Sequence, residues 1–152
     1  MHWNVSRIFN NPVIICAFIA WFLAQFLKMF TCYPETKKII VARSFSSAGM
    51  PSSHTSIVTS VSTAVGILHG FDSAIFAVSM AIALIVMYDA AGVRRETGRQ
   101  AQIINNIVEK ALVDHELSVD RLKELVGHKP VEVLAGAALG VLTSVVYCLA
   151  IS

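Results

Sequence analysis

The sequence predicts an all-α integral membrane protein, a four-helix bundle with a cytoplasmic amphipathic helix between the third and fourth membrane helices. Three observations carry that expectation. Of its 152 residues 55% are hydrophobic and only 14% charged, a balance that a water-soluble domain of this size rarely shows. The apolar residues gather into four segments, residues 12–30, 55–68, 73–93 and 131–151. Most of the Lys and Arg residues lie in the two longer stretches between those segments. The length suits a single membrane-embedded domain over residues 1–152.

The first segment, 12–30, and the last, 131–151, are long enough to cross roughly 30 Å of hydrocarbon as helices. Arg7 ahead of an apolar run is also how a secretory leader begins, but this run continues to Phe30 with no small-x-small cleavage site behind it. It is expected to remain as a membrane helix. The middle two segments are shorter and rich in Ser, Thr, Ala and Gly, residues that let helix backbones approach closely inside a membrane bundle. The turn His69-Gly70-Phe71-Asp72 joins them.

Lys37, Lys38 and Arg43 follow the first segment, and seven more cations, Arg94 to Lys129, follow the third. The middle turn has no Lys or Arg, so both longer stretches are expected on the cytoplasmic side and both termini outside, with Arg7 the one charge against the rule. Within the second stretch Ala101, Ile104, Ile107, Val108 and Ala111 recur at helical spacing against Arg99, Gln102, Asn106 and Glu109. That pattern predicts an amphipathic helix along the cytoplasmic interface. A second short helix, residues 119–126, should end at Gly127.

The net charge of +2 is too weak to argue for nucleic acid, and with no basic run interleaved with aromatics no nucleic-acid partner is expected. Cys16, Cys32 and Cys148 are odd in number and far apart, which argues against a disulfide framework and against zinc.

Three polar motifs stand out. In Gly49-Met50-Pro51-Ser52-Ser53-His54-Thr55, Pro51 should open the second membrane helix, and a helix start bearing two hydroxyls and an imidazole suits an oxyanion. Tyr88-Asp89-Ala90-Ala91-Gly92-Val93-Arg94-Arg95 puts a carboxylate at the end of an uncharged run, where it needs a cation. Arg94, Arg95 or Lys28 could supply one, and arginine suits forked recognition of phosphate oxygens. In Gly127-His128-Lys129-Pro130-Val131-Glu132-Val133, Pro130 should open the fourth membrane helix, bringing the Glu132 carboxylate within reach of the His128 ring. A histidine held by a carboxylate on one nitrogen is arranged as a nucleophile toward phosphorus. With alternating helix directions all three motifs, together with Lys28 and Arg43, meet at the cytoplasmic face. That gathering favours phosphoryl chemistry on a substrate whose tail stays in lipid.

These motifs, with Gly98-Arg99-Gln100-Ala101 and Ala24-Gln25-Phe26-Leu27-Lys28, resemble the divergent branch of the type-2 phosphatidic acid phosphatase family, whose superfamily also contains the vanadium haloperoxidases. The resemblance spans most of the chain. It implies that His54 is the general acid, His128 the nucleophile and Glu132 its partner; Asp89 joins the catalytic set on the separate ground that a carboxylate in an apolar run is functional or paired. It further implies that no metal or cofactor is needed because cations neutralise the phosphate; with the family's own cations missing here, Lys28, Arg43, Arg94 and Arg95 are the candidates to bind the substrate, beside Ser52, Ser53 and Gln100 of the motifs. The chain departs from the wider superfamily in having Ser53 for Gly, Glu132 for Asp, Leu122 for an arginine six residues before the nucleophile, and Ser44 after Arg43 where an Arg-Pro element is customary.

The expected function is a lipid phosphatase working through a phosphohistidine on a phosphate monoester such as phosphatidylglycerophosphate, phosphatidic acid or a polyprenyl phosphate. The alternative is a non-catalytic membrane protein of the same fold that binds a lipid headgroup or a partner. The expected place is a bacterial inner membrane, multi-pass, with the site facing the cytoplasm; a homo-oligomer is compatible with the sequence.

Overall fold

In the computed structural model, residues 5–31, 49–111 and 129–152 are described. A short 3-10 helix, Val5–Asn10, leads into α1 (Pro12–Thr31), followed by α2 (Ser53–His69), α3 (Ala74–Ala91), α4 (Val93–Ala111) and α5 (Pro130–Ile151). Among the described residues there is no strand. The four expected membrane segments therefore emerge as α1, α2, α3 and α5, and the expected amphipathic helix as α4. The short helix expected over residues 119–126 lies outside the described residues.

The four helices are not equivalent. Among the described residues three stretches are long and apolar enough to cross a membrane: α1, α5, and the run from α3 into α4. With 17 residues, α2 is about 26 Å long and carries nine buried positions, most of them Ser or Thr. It sits at the centre, packed against α1, α3 and α5, and most extensively against α5. A hydroxyl-rich helix is tolerated in hydrocarbon only where other helices satisfy its polar groups, which explains why the least apolar segment is the most enclosed.

The whole molecule follows the same inverted pattern. Buried positions are small or polar, among them Cys16, Ala20, Ala24, Ser56, Ser60 and Ser144, while large apolar residues such as Phe18, Phe22, Ile85 and Leu149 point outward. Water would penalise that surface; lipid does not.

Two rows of residues spaced by four build the packing. On α1 they are Cys16, Ala20, Ala24 and Lys28, and on α5 Gly136, Gly140, Ser144 and Cys148, all buried. A Cβ at Gly136 would strike the Ser52 carbonyl, and one at Gly140 would strike the Thr59 hydroxyl and the Ser56 carbonyl. The backbones of α2 and α5 consequently touch, and hydroxyls join them. Ser56 Oγ lies 3.0 Å from the Gly136 carbonyl and Thr59 Oγ1 3.3 Å from that of Ala137. Ser144 Oγ donates to the Ser60 carbonyl at 2.8 Å, so its only proton is used, and Ser60 must be the donor in the 2.8 Å contact between the two hydroxyls.

Of the expected helix starts, Pro130 does open α5, at its first turn after Lys129. Pro51 does not open α2: the helix begins at Ser53, with Ser52 as its cap and Pro51 one residue further out. The serine wins because its side chain can accept an amide N–H of the first turn, which proline cannot do.

Helix α4 also differs in what its apolar stripe does. Among the described residues α4 touches only α3. Gly98, Ala101 and Asn105 are buried while Ile103, Ile104 and Ile107 are exposed. The isoleucines do not pack on the bundle, as a stripe lying against lipid need not.

Candidate functional site

The row of small residues on α1 ends in a charge. Lys28 is 1% exposed, and an ammonium taken out of water is costly unless polar partners replace the lost hydration. Its Nζ donates to Ser53 Oγ at 3.0 Å, and Glu132 acts on it as an opposing charge. Three helices thus contribute to one spot: the last turn of α1, the first turn of α2 and the first turn of α5.

Backbone contacts hold those ends together. The Ser52 N–H donates to the Glu132 carbonyl at 3.0 Å, tying the start of α2 to the start of α5. Thr31 Oγ1 donates to the Met50 carbonyl at 2.8 Å, tying the end of α1 to the segment before α2. In that segment Gly49 adopts φ +117°, a conformation glycine enters at little cost, and a Cβ there would stand 4.0 Å from Lys28 Cγ.

Ser52 Oγ accepts the Thr55 N–H at 3.4 Å and the Thr55 hydroxyl at 3.1 Å. Two amides expected to face an anion, those of Ser52 and Thr55, are therefore used within the protein. The field of the helix start remains, since the N-termini of α2 and α5 lie side by side and their dipoles add. Glu132 turns back on its own helix, where Oε2 accepts the Lys129 N–H at 3.2 Å.

His54 is half-buried in the first turn of α2, next to Ser53. Asp89 is half-buried near the end of α3. Gln100 lies apart from the Lys28 cluster in a shallow depression at the α3–α4 junction, shared with Tyr88, Gly92, Glu96 and Thr97. Arg94 and Arg95 fall in the first turn of α4; their side chains, like His128 and Arg43 altogether, lie outside the described residues. Among the described residues no cluster of His, Cys, Asp and Glu could hold a metal ion.

Sequence reasoning named Lys28, Ser52, Ser53 and Glu132 separately but not the bond from Lys28 to Ser53. It also missed Thr31 and the glycine seam of α5. The spacing of four in both rows was the available signal. Gln25, one turn before Lys28, is a further polar residue: its Oε1 is buried without a hydrogen-bond partner among the described residues.

The arrangement sets a desolvated cation at two helix starts, with an imidazole in the first turn of α2 and a carboxylate in the first turn of α5. Comparison with known proteins supplies a family. The family model described as "Divergent PAP2 family" matches residues 9–143. The uncharacterized membrane protein YuiD of Bacillus subtilis (strain 168) is 36% identical over 155 residues, an alignment covering 92% of this chain and 96% of that one. No solved structure matches.

Proposed function

The chain belongs to the divergent PAP2 family, and we propose on that footing that it is a metal-independent membrane lipid phosphatase. The observation that carries the reading is the buried Lys28 held by Ser53 beside Glu132, at the meeting point of two helix N-termini. The substrate is a phosphate monoester on a lipid, of the phosphatidic acid, phosphatidylglycerophosphate or polyprenyl phosphate kind. Its tail remains in the bilayer beside the apolar outer faces of α1, α3 and α5.

In the reaction a ring nitrogen of His128 attacks phosphorus and the bond to the lipid oxygen breaks, that oxygen taking a proton from His54. Water then attacks the phosphohistidine, giving its proton to His54, and inorganic phosphate leaves. Glu132 orients the His128 ring. Lys28, Arg43, Arg94 and Arg95, with Ser52, Ser53 and Gln100, neutralise and hold the phosphate oxygens, and Asp89 fixes the cations near it. The site faces the cytoplasm of a bacterial cell.

Purified protein in detergent, assayed against a panel of lipid phosphates with chelator present, tests the proposal. Phosphate release lost in both His54→Ala and His128→Ala is the expected outcome. Full activity in His128→Ala would remove the assigned nucleophile. The capping bond that already engages Glu132 favours one second reading, a headgroup-binding protein without turnover; saturable binding of a lipid phosphate with no release from any of the panel would establish it.

A further inference from the structure

The end of the bundle opposite Lys28 carries a recess that the proposed reaction does not use. Its polar lining is Arg7, Asn11 and His69, contributed by the 3-10 segment, the start of α1 and the end of α2. Asn11 uses its side-chain oxygen to accept the N–H groups of Val13 and Ile14, at 3.0 and 3.3 Å, which leaves its NH2 as the half able to donate outward. Asp72, the acid of the adjoining turn, is not part of the lining.

The recess does not end at its apolar floor. Val13 lines both it and an apolar groove between α1 and α2, walled by Val13, Ala17 and Trp21 on one side and by Ile57 and Val61 on the other. Val65, in the recess, continues the α2 wall one turn on. Both walls advance by four residues at a time in opposite directions, as antiparallel helices require. From Val13 to Trp21 the groove runs about 12 Å, close to the depth of one leaflet of hydrocarbon.

We infer that recess and groove together bind one anionic glycerophospholipid, in the leaflet opposite the candidate active site, with its phosphate against Arg7 and one acyl chain along α1 and α2. The charge selects an anionic headgroup, and the groove selects a molecule with a chain. A free phosphate would leave the groove empty, and a zwitterionic lipid carries its own cation, which competes with the arginine for the phosphate. The site also accounts for Arg7, the cation on the side where the charge rule expects none. The inference needs only the membrane placement of the bundle and stands whether or not the protein is a phosphatase.

Native mass spectrometry of the protein in neutral detergent, titrated with phosphatidylglycerol or phosphatidylcholine of identical chains, tests it. Phosphatidylglycerol is a diester, so a monoesterase does not consume it. Retention about fivefold in favour of phosphatidylglycerol is expected, the effect of one basic residue on an anionic headgroup. Arg7→Gln should abolish the preference and Arg7→Lys keep it; Arg7 is exposed, so neither change threatens the fold. Lys28→Met should leave the preference intact, and soluble glycerol 3-phosphate should fail to compete. Equal retention of the two lipids, a preference that survives Arg7→Gln, or one lost instead in Lys28→Met would overturn the inference.

Discussion

Lys28 is the residue on which most of the proposed chemistry turns. A lysine can stay buried at the end of an apolar helix only while its ammonium is partnered; Ser53 accepts its hydrogen bond, and Glu132 acts on it as an opposing charge. Ser53→Ala removes the acceptor at 3.0 Å and is expected to destabilise the protein by about 1–3 kcal/mol, measured as a lowered unfolding temperature in detergent. Stability unchanged in that variant would mean the hydroxyl is incidental. Glu132→Gln keeps an oxygen for the Lys129 N–H but loses both the charge at the start of α5 and the opposing charge that acts on Lys28; a loss of about 1 kcal/mol or more in the same measurement is expected. At this scale the sequence was half legible. Unusual residue types, such as a lysine and a carboxylate in apolar surroundings, announced themselves. Their pairings did not, because a bond between residues 28 and 53 depends on how two helices cross, and no local pattern records that. The exchange of Pro51 for Ser52 at the start of α2 has a different cause. Two good helix-start residues stood next to each other, and only the capping bond from Ser52 to Thr55 decides between them.

Helices α2 and α5 behave as one unit, a seam in which glycine admits the neighbouring backbone and hydroxyls join what has been admitted. Gly140→Val places carbon where the Thr59 hydroxyl and the Ser56 carbonyl already stand, and is expected to cost about 1–3 kcal/mol through forced separation of the helices. Thermal unfolding in detergent checks it; tolerance of valine there would contradict the close approach. The Ser60 and Ser144 pair allows a finer test. A double-mutant cycle to alanine should give a coupling of about 0.6 kcal/mol, the usual strength of hydrogen bonds between membrane helices, and zero coupling would dissolve the network. The four membrane segments and α4 were all readable from hydropathy and period. The central position of α2 was not, since low hydropathy marks a helix as sheltered without saying by which neighbours. Nor could periodicity say that the isoleucines of α4 would stay off the bundle: a stripe facing lipid and a stripe facing protein have the same sequence.

At the scale of the molecule, the polar ends of α1, α2 and α5 meet because alternating helix directions bring them to one side. The charges flanking the segments lead us to propose that this side is the cytoplasmic one. In a variant stripped of Cys16, Cys32 and Cys148, a cysteine replacing Arg99 should resist an impermeant thiol reagent applied to intact cells, whereas one replacing Phe71 should react. Both positions are exposed in the fold, and the reverse labelling would turn the protein over. An inverted pattern of small and polar residues inside with large apolar ones outside is legible in a sequence as composition; the site that composition encloses needed the structure. The most direct test of the account joins the two. Phosphate release from phosphatidic acid in detergent should fall by about 100-fold or more in Lys28→Met, as when a pre-organised charge that stabilises the transition state is removed. The unfolding temperature should drop by no more than a few degrees, showing the bundle intact. Release at the wild-type rate from a folded Lys28→Met protein would contradict the account at its centre.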